Sequence, residues 1–99
     1  MEMEIEINFS QWLQFVDTIG TTRLDISRLN EGINIVTLFV LSGLCHSKSA
    51  ARRLIEQGGA YINKTRYKDT NYVVRDNRKD MAALLLGHGK KQCRLVLFK

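Results

Sequence analysis

From Ile33 to Leu44 apolar residues recur at spacings of three, four and seven, with Ile33, Val36, Val40, Leu41 and Leu44 along one side. That is the period of an amphipathic helix, and Gly43 stands near its predicted end. Ser47 then offers an N-cap, and Lys48 to Gln57 reads as a second helix. Ala51, Leu54 and Ile55 face inward in it, while Lys48, Arg52, Arg53 and Gln57 project outward. Gly58 falls where a left-handed residue closes a helix. The pair forms a hairpin of helices with one basic rim.

After Gly59 the period drops to two. Ala60 to Asn63 is a short strand, Asn63-Lys64-Thr65 a turn, and Tyr72 to Arg75 a second strand. Ala82 to Leu86 and Cys93 to Phe98 form the arms of a hairpin whose tip is Gly87 to Gln92. Upstream, Glu4 to Asn8 alternates like a strand or extended linker. Ser10 caps a short helix carrying Leu13, Val16 and Ile19 on one face, with Trp12 and Phe15 beside them, and Gly20 stops it. Thr21 to Gly32 is polar and reads as a connector. Helices precede a small, mainly antiparallel sheet, so the expected class is α+β. The expected organisation is a lead-in at residues 1–31, packing on or linking to a domain at 32–99.

Ninety-nine residues with 44% hydrophobic and 25% charged composition suit one compact domain, with no deep enclosed pocket. No apolar run is long enough to span a bilayer, and the acidic start lacks the layout of a secretory signal. Charge is unevenly spread. Residues 1–31 hold six acids and two bases, a net of −4; residues 32–99 hold thirteen bases and four acids, a net of +9. A basic body beside an acidic lead-in is the asymmetry of a polyanion-binding domain.

The stretch Ser47 to Asn63 concentrates the means to bind RNA. A helix N-terminus at Ser47 to Ser49 presents amides and a positive dipole end to phosphate. Lys48, Arg52 and Arg53 add cations within a turn and a half, and arginine grips phosphate with two parallel bonds. Gly58-Gly59 turns the chain so that Asn63 and Lys64 return toward the same rim. The Gly87 to Gln92 loop, with Lys90, Lys91 and Arg94, is a second contact. Tyr61, Tyr67 and Tyr72 are available to stack on unpaired bases or to pack against the helices.

Cys45 and Cys93 are expected reduced and partly buried. Cys45-His46 with His88 and Cys93 has the residue types of a zinc site but not the spacing of a knuckle, so no metal is expected. No cofactor and no catalytic residue is expected either.

The run Gly43-Leu44, Ser47-Lys48, Ala51-Arg-Arg-Leu-Ile55, Gly58-Gly59 and Asn63 closely resembles the RNA-binding domain named after ribosomal protein S-four. Gly89-Lys-Lys91 before a terminal strand, and Gly32-Ile-Asn-Ile-Val36 leading into the first helix, resemble the version that closes bacterial-type tyrosyl-tRNA synthetases. The resemblance implies a monomeric C-terminal appendage, in the cytoplasm or an organellar matrix, that grips tyrosine tRNA by its long variable arm. Its catalytic domain would lie upstream. Ser47, Lys48, Arg52, Arg53, Asn63 and Lys64 are the RNA-contacting positions it implies. Ala50 stands where the family commonly has an acid, and Lys64 where it commonly has glycine, which implies a looser turn. The synthetase His-Ile-Gly-His motif is absent from the chain, and His46-Ser-Lys-Ser49 opens the RNA-binding helix and is not an ATP loop. Two other uses of the domain remain open: the same module in another RNA-binding or RNA-modifying protein, and a protein-interaction domain with Trp12, Phe15 and Val16 exposed.

Overall fold

The computed structural model describes residues 21–77, 79–89 and 92–99. The expected strand at 4–8, the helix from Ser10 to Gly20, and Lys90 and Lys91 therefore lie outside the described residues. The elements run β1 (Thr21–Leu24), α1 (Ile26–Glu31), β2 (Ile33–Asn34), α2 (Ile35–Ser42), α3 (Lys48–Glu56), β3 (Ala60–Ile62), β4 (Thr65–Tyr67), β5 (Val73–Val74), β6 (Ala82–His88) and β7 (Gln92–Phe98). Five strands form one sheet in the order β1-β7-β6-β3-β4, and β2 pairs with β5 in a separate ribbon. Among the described residues only β1 with β7 is parallel; the other pairings are antiparallel. The fold is α+β, with a hairpin of helices on a mainly antiparallel sheet.

Residues 21–32 are not a connector. Thr21 to Leu24 pairs in register with Leu95 to Phe98. Asp25 caps α1 by accepting from the Ser27 amide at 3.0 Å, and Leu29 is buried in the core. The far end of α1 is tied to the chain after β5. Asn30 Nδ2 donates to the Asp76 carbonyl at 2.8 Å, and Arg75 Nη2 donates to the Glu31 carbonyl at 2.9 Å.

The expected inner face of the first helix is also corrected. Helix α2 starts at Asn34, whose side chain accepts from the Val36 amide at 2.9 Å, and ends at Gly43 with φ +91°. Its core residues are Ile35, Val36, Leu38, Phe39 and Ser42, whereas Leu41 is 37% exposed and Ile33 belongs to β2. A helix apolar nearly all round does not reveal by period which side the sheet will cover. Buried Ser42 is satisfied locally, its hydroxyl donating to the Phe39 carbonyl at 2.8 Å and accepting from the Leu44 amide at 3.2 Å.

In the sheet, strand alternation sends Ala60 and Ile62, Ala82 and Leu86, and Val96 and Phe98 to the helix side. There they pack with Leu29, Leu38, Phe39, Ala51 and Ile55 in one cluster. Two strand expectations change. Thr65–Tyr67 is a strand that the sequence reading left out, and Val73–Val74 pairs with β2 rather than joining the main sheet. The last hairpin holds its ladder from Ala82↔Phe98 to His88↔Gln92, so its connection is residues 89–91 and not the longer tip expected at 87–92.

Candidate nucleic-acid interface

Ser47 is extended, with φ −152° and ψ 164°, and its hydroxyl accepts from the Ala50 amide at 3.1 Å. This N-cap starts α3 where the sequence predicts it. Ala51 and Ile55 are wholly buried and fix the inner side of α3, which leaves Lys48, Arg52, Arg53 and Glu56 exposed. Lys48 and Arg52 are four residues apart, so they are neighbours on the helix surface, where like charges destabilise a helix slightly. The fold gains nothing from that arrangement; a polyanion would.

At its other end α3 closes through Gln57, whose amide donates to the Arg53 carbonyl at 3.0 Å. Gly58 follows at φ +81°, the left-handed conformation expected of it. A Cβ there would meet Lys68 Cε at 3.2 Å and Arg66 Cδ at 3.6 Å. The exposed side chains of Arg66 and Lys68 thus lie against the C-terminal end of α3 and extend its basic rim. Neither is evident from the sequence pattern, because β4, which carries Arg66 back toward the helix, is short and polar. The two-residue turn at Asn63-Lys64 was the available signal, since it demands a returning strand. Gly89 donates to the Gly59 carbonyl at 2.8 Å, so the 89–91 connection begins at this same end of α3.

Asn63 and Lys64 form the two-residue turn between β3 and β4. They occupy the opposite end of β3 from Gly58, roughly 10 Å away for a strand of this length. The turn is not looser for lacking glycine: Asn63 has φ +51° and Lys64 φ +72°, both left-handed, as a tight hairpin turn requires. Asn63 also fastens β3 to β6. Its amide donates to the Leu85 carbonyl at 2.7 Å, and its Oδ1 accepts from the Leu85 amide at 2.9 Å.

Arg94 is half-buried on the helix side of β7. Its Nε donates to Thr22 Oγ1 at 3.2 Å, and Thr22 in turn donates to the Ser42 carbonyl at 3.0 Å. The guanidinium lies 3.6–3.9 Å from where a Gly43 Cβ would stand, over the C-terminal end of α2, where a cation is favoured. Arg94 therefore joins β1, β7 and α2.

Of the tyrosines, Tyr67 packs against the core and stacks on Tyr72, with ring centroids 4.7 Å apart and planes at 28°. Burial, with Tyr72 beside it, pushes the Tyr67 hydroxyl pKa up. Tyr61 points to the other face of the sheet. Cys45 is buried, which raises its thiol pKa, whereas Cys93 is exposed and not partly buried as expected; both are free thiols. Among the described residues no group of three or more His, Cys, Asp or Glu side chains is placed to hold a metal ion. Nor is any helix among them long and apolar enough to cross a membrane. What the site offers is fixed positive charge on a shaped edge.

Comparison with known proteins agrees with this geometry. The chain is 41% identical over 83 residues to the tyrosine–tRNA ligase of Treponema denticola, an alignment covering 83% of this chain and 20% of that protein. It is 37% identical over 89 residues to the chloroplastic/mitochondrial tyrosine–tRNA ligase of Arabidopsis thaliana, covering 89% of this chain and 17% of that protein. The chain thus spans about a fifth of the length of the relatives it matches. Its fold is that of a tyrosyl-tRNA synthetase C-terminal domain solved in solution, with a TM-score of 0.70 at 21% identity over 94% of this chain and 91% of the other. The sequence profile of the tyrosine–tRNA ligase SYY-like C-terminal domain matches residues 14–96, and the chain belongs to that family.

Proposed function

We propose that this chain is the tRNA-gripping end of a tyrosine–tRNA ligase, holding tyrosine tRNA for aminoacylation while catalysis resides in the rest of the enzyme. The observation that carries this function is the exposed face of α3. Lys48, Arg52 and Arg53 stand on it, with Arg66 and Lys68 seated against its end at Gly58. A-form RNA hides its base edges in a narrow major groove, so such a rim reads phosphates and 2′-hydroxyls and hence RNA shape. A long variable arm is the shape that sets tyrosine tRNA apart from short-armed tRNAs, and it is the element this rim grips. The domain acts as a monomer, needs no metal or cofactor, and works in the cytoplasm or an organellar matrix with the enzyme's catalytic domain as its covalent partner.

Five phosphate contacts from these residues give a log–log dependence of affinity on salt of roughly −4 to −5. The test is binding of the 99-residue chain to tyrosine tRNA and to a short-armed tRNA across a salt series, with a Lys48/Arg52/Arg53 triple-alanine variant alongside. The expected result is preference for the long-armed tRNA, with affinity and about three fifths of the salt slope lost in the variant. Equal affinity for both tRNAs would refute recognition of the variable arm. Absence of salt-dependent binding to either would refute the RNA function.

A further inference from the structure

The face of the sheet turned away from the helices carries an apolar groove of about 310 Å³, lined by Tyr61, Lys64, Leu85, Gly87, Gly89 and Cys93. Tyr61 is paired with Gly87 across the β3–β6 ladder. A Cβ on Gly87 would come within 3.3 Å of Tyr61 Cβ and 3.8 Å of its ring, so the aromatic side chain packs over bare backbone. On its other flank Tyr61 is paired with Arg66. Arg66 Nη2 and Nε donate to the Tyr61 hydroxyl at 3.0 and 3.3 Å, and the guanidinium carbon lies 5.6 Å from the ring centroid. The ring is thereby oriented before any ligand arrives. Of Arg66's five N–H donors, two are engaged and three remain for a ligand. Among the described residues no acid lines the groove. Lys64 forms part of its wall, and Gly89 leads directly into Lys90 and Lys91 in sequence.

We propose that this groove takes one unpaired nucleobase of the bound tRNA, stacked on Tyr61, with the flanking phosphates on Lys64 and Arg66. An apolar floor beneath an aromatic ring and a rim of cations without acids matches a nucleotide, which joins a flat apolar face to a negative charge on either side. The site rests on the tRNA-binding function proposed above and adds to it a contact with a single base, on the outer face of the sheet beside the α3 rim, with which it shares Arg66.

Cys93, exposed in the groove, is a built-in reporter, and buried Cys45 is its internal reference. The experiment is the rate of iodoacetamide alkylation of each thiol in the 99-residue chain, with and without saturating tyrosine tRNA, together with tRNA affinities of Tyr61→Leu and Tyr61→Phe. Bound tRNA is expected to slow alkylation of Cys93 on the order of tenfold, while Cys45 stays unreactive in both states. Tyr61→Leu is expected to weaken binding by about 5-fold to 100-fold at every salt concentration, with the salt slope unchanged, because stacking releases no counterions. Tyr61→Phe, which keeps the ring, retains most of the affinity. If tRNA binds while Cys93 reacts at its free rate, or if folded Tyr61→Leu binds like the parent chain, the base site is wrong and the α3 interface stands. If the unaltered chain binds no tRNA, the parent function fails and this site with it. Should Tyr61→Leu not fold, as judged by circular dichroism, protection of Cys93 in the unaltered chain decides.

Discussion

Lys64→Gly should make this domain more stable and its RNA binding weaker. Lys64 holds φ +72° in the two-residue turn between β3 and β4, where an L side chain costs about 1–2 kcal/mol relative to glycine. The side chain is exposed, so its removal forfeits little burial. Against that gain, glycine makes the unfolded chain freer, which costs about 0.4–1 kcal/mol. The net expectation is a stabilisation of about 0.5–1 kcal/mol, or a melting temperature higher by roughly 3–6 °C for a domain of this size. Thermal and urea unfolding followed by far-ultraviolet circular dichroism measures it, with an unchanged urea m-value showing that the compactness of neither state has moved. The same variant lacks one cation, so the salt slope of tRNA binding should shallow by about 0.9. A melting temperature equal to or below that of the parent would refute the strain assigned to this turn. An unchanged salt slope would remove Lys64 from the phosphate contacts.

Three further substitutions separate holding the fold from holding RNA. Ser47→Ala removes the acceptor of the Ala50 amide and should cost about 1 kcal/mol in urea unfolding; a change under about 0.3 kcal/mol would mean the cap is idle. Arg94→Ala loses the bond to Thr22 and the packing of a half-buried stem, so stability should fall by about 1–2 kcal/mol while the salt slope of tRNA binding stays put. A shallower slope with unaltered stability would return Arg94 to the RNA interface. Asp25 is held below the usual carboxylate range by the Ser27 amide and then the Ser27 hydroxyl, with a smaller contribution from Arg28. Its support of α1 is therefore complete above about pH 4 and is lost as pH falls through the lowered value. The melting-temperature gap between the parent and Asp25→Ala should be open at pH 6 and close toward pH 2. A gap that does not vary with pH would refute the assignment.

The parts of the fold legible in the sequence are those that local chemistry decides. Ser47 and Gly58 bracket α3 because a hydroxyl cap and a left-handed residue are intrinsic signals, and Ala51 and Ile55 could then only face inward. What was illegible depends on partners far along the chain. Thr21 to Leu24 is too polar to read as a strand and becomes one by pairing with β7, more than seventy residues later. Polar Thr65 to Tyr67 is an edge strand for the same reason, and with it went Arg66 and Lys68. In β7 both alternating sets are largely apolar, Cys93, Leu95 and Leu97 against Val96 and Phe98. Alternation puts Arg94 with Val96 and Phe98, but nothing local showed that this set would be the one facing α2. The basic outer face of α3 could be read from its own period, whereas the place of Arg94 depends on a neighbour from another strand.

The strand order β1-β7-β6-β3-β4 has a consequence for the making of this protein. Strand β7 follows the other described strands in the chain yet lies in the interior of the sheet, and its Phe98 is wholly buried. Until β7 leaves the ribosome, β1 has no partner, β6 has one bare edge and the core lacks its floor. Closure of this domain must therefore wait for β7, and the long-range pairing that achieves it is the slow kind. Without β7 the strands β6, β3 and β4 could still pair, but β1 would be stranded and the core beneath the helices left open, so the basic face of α3 depends on a strand some forty residues downstream.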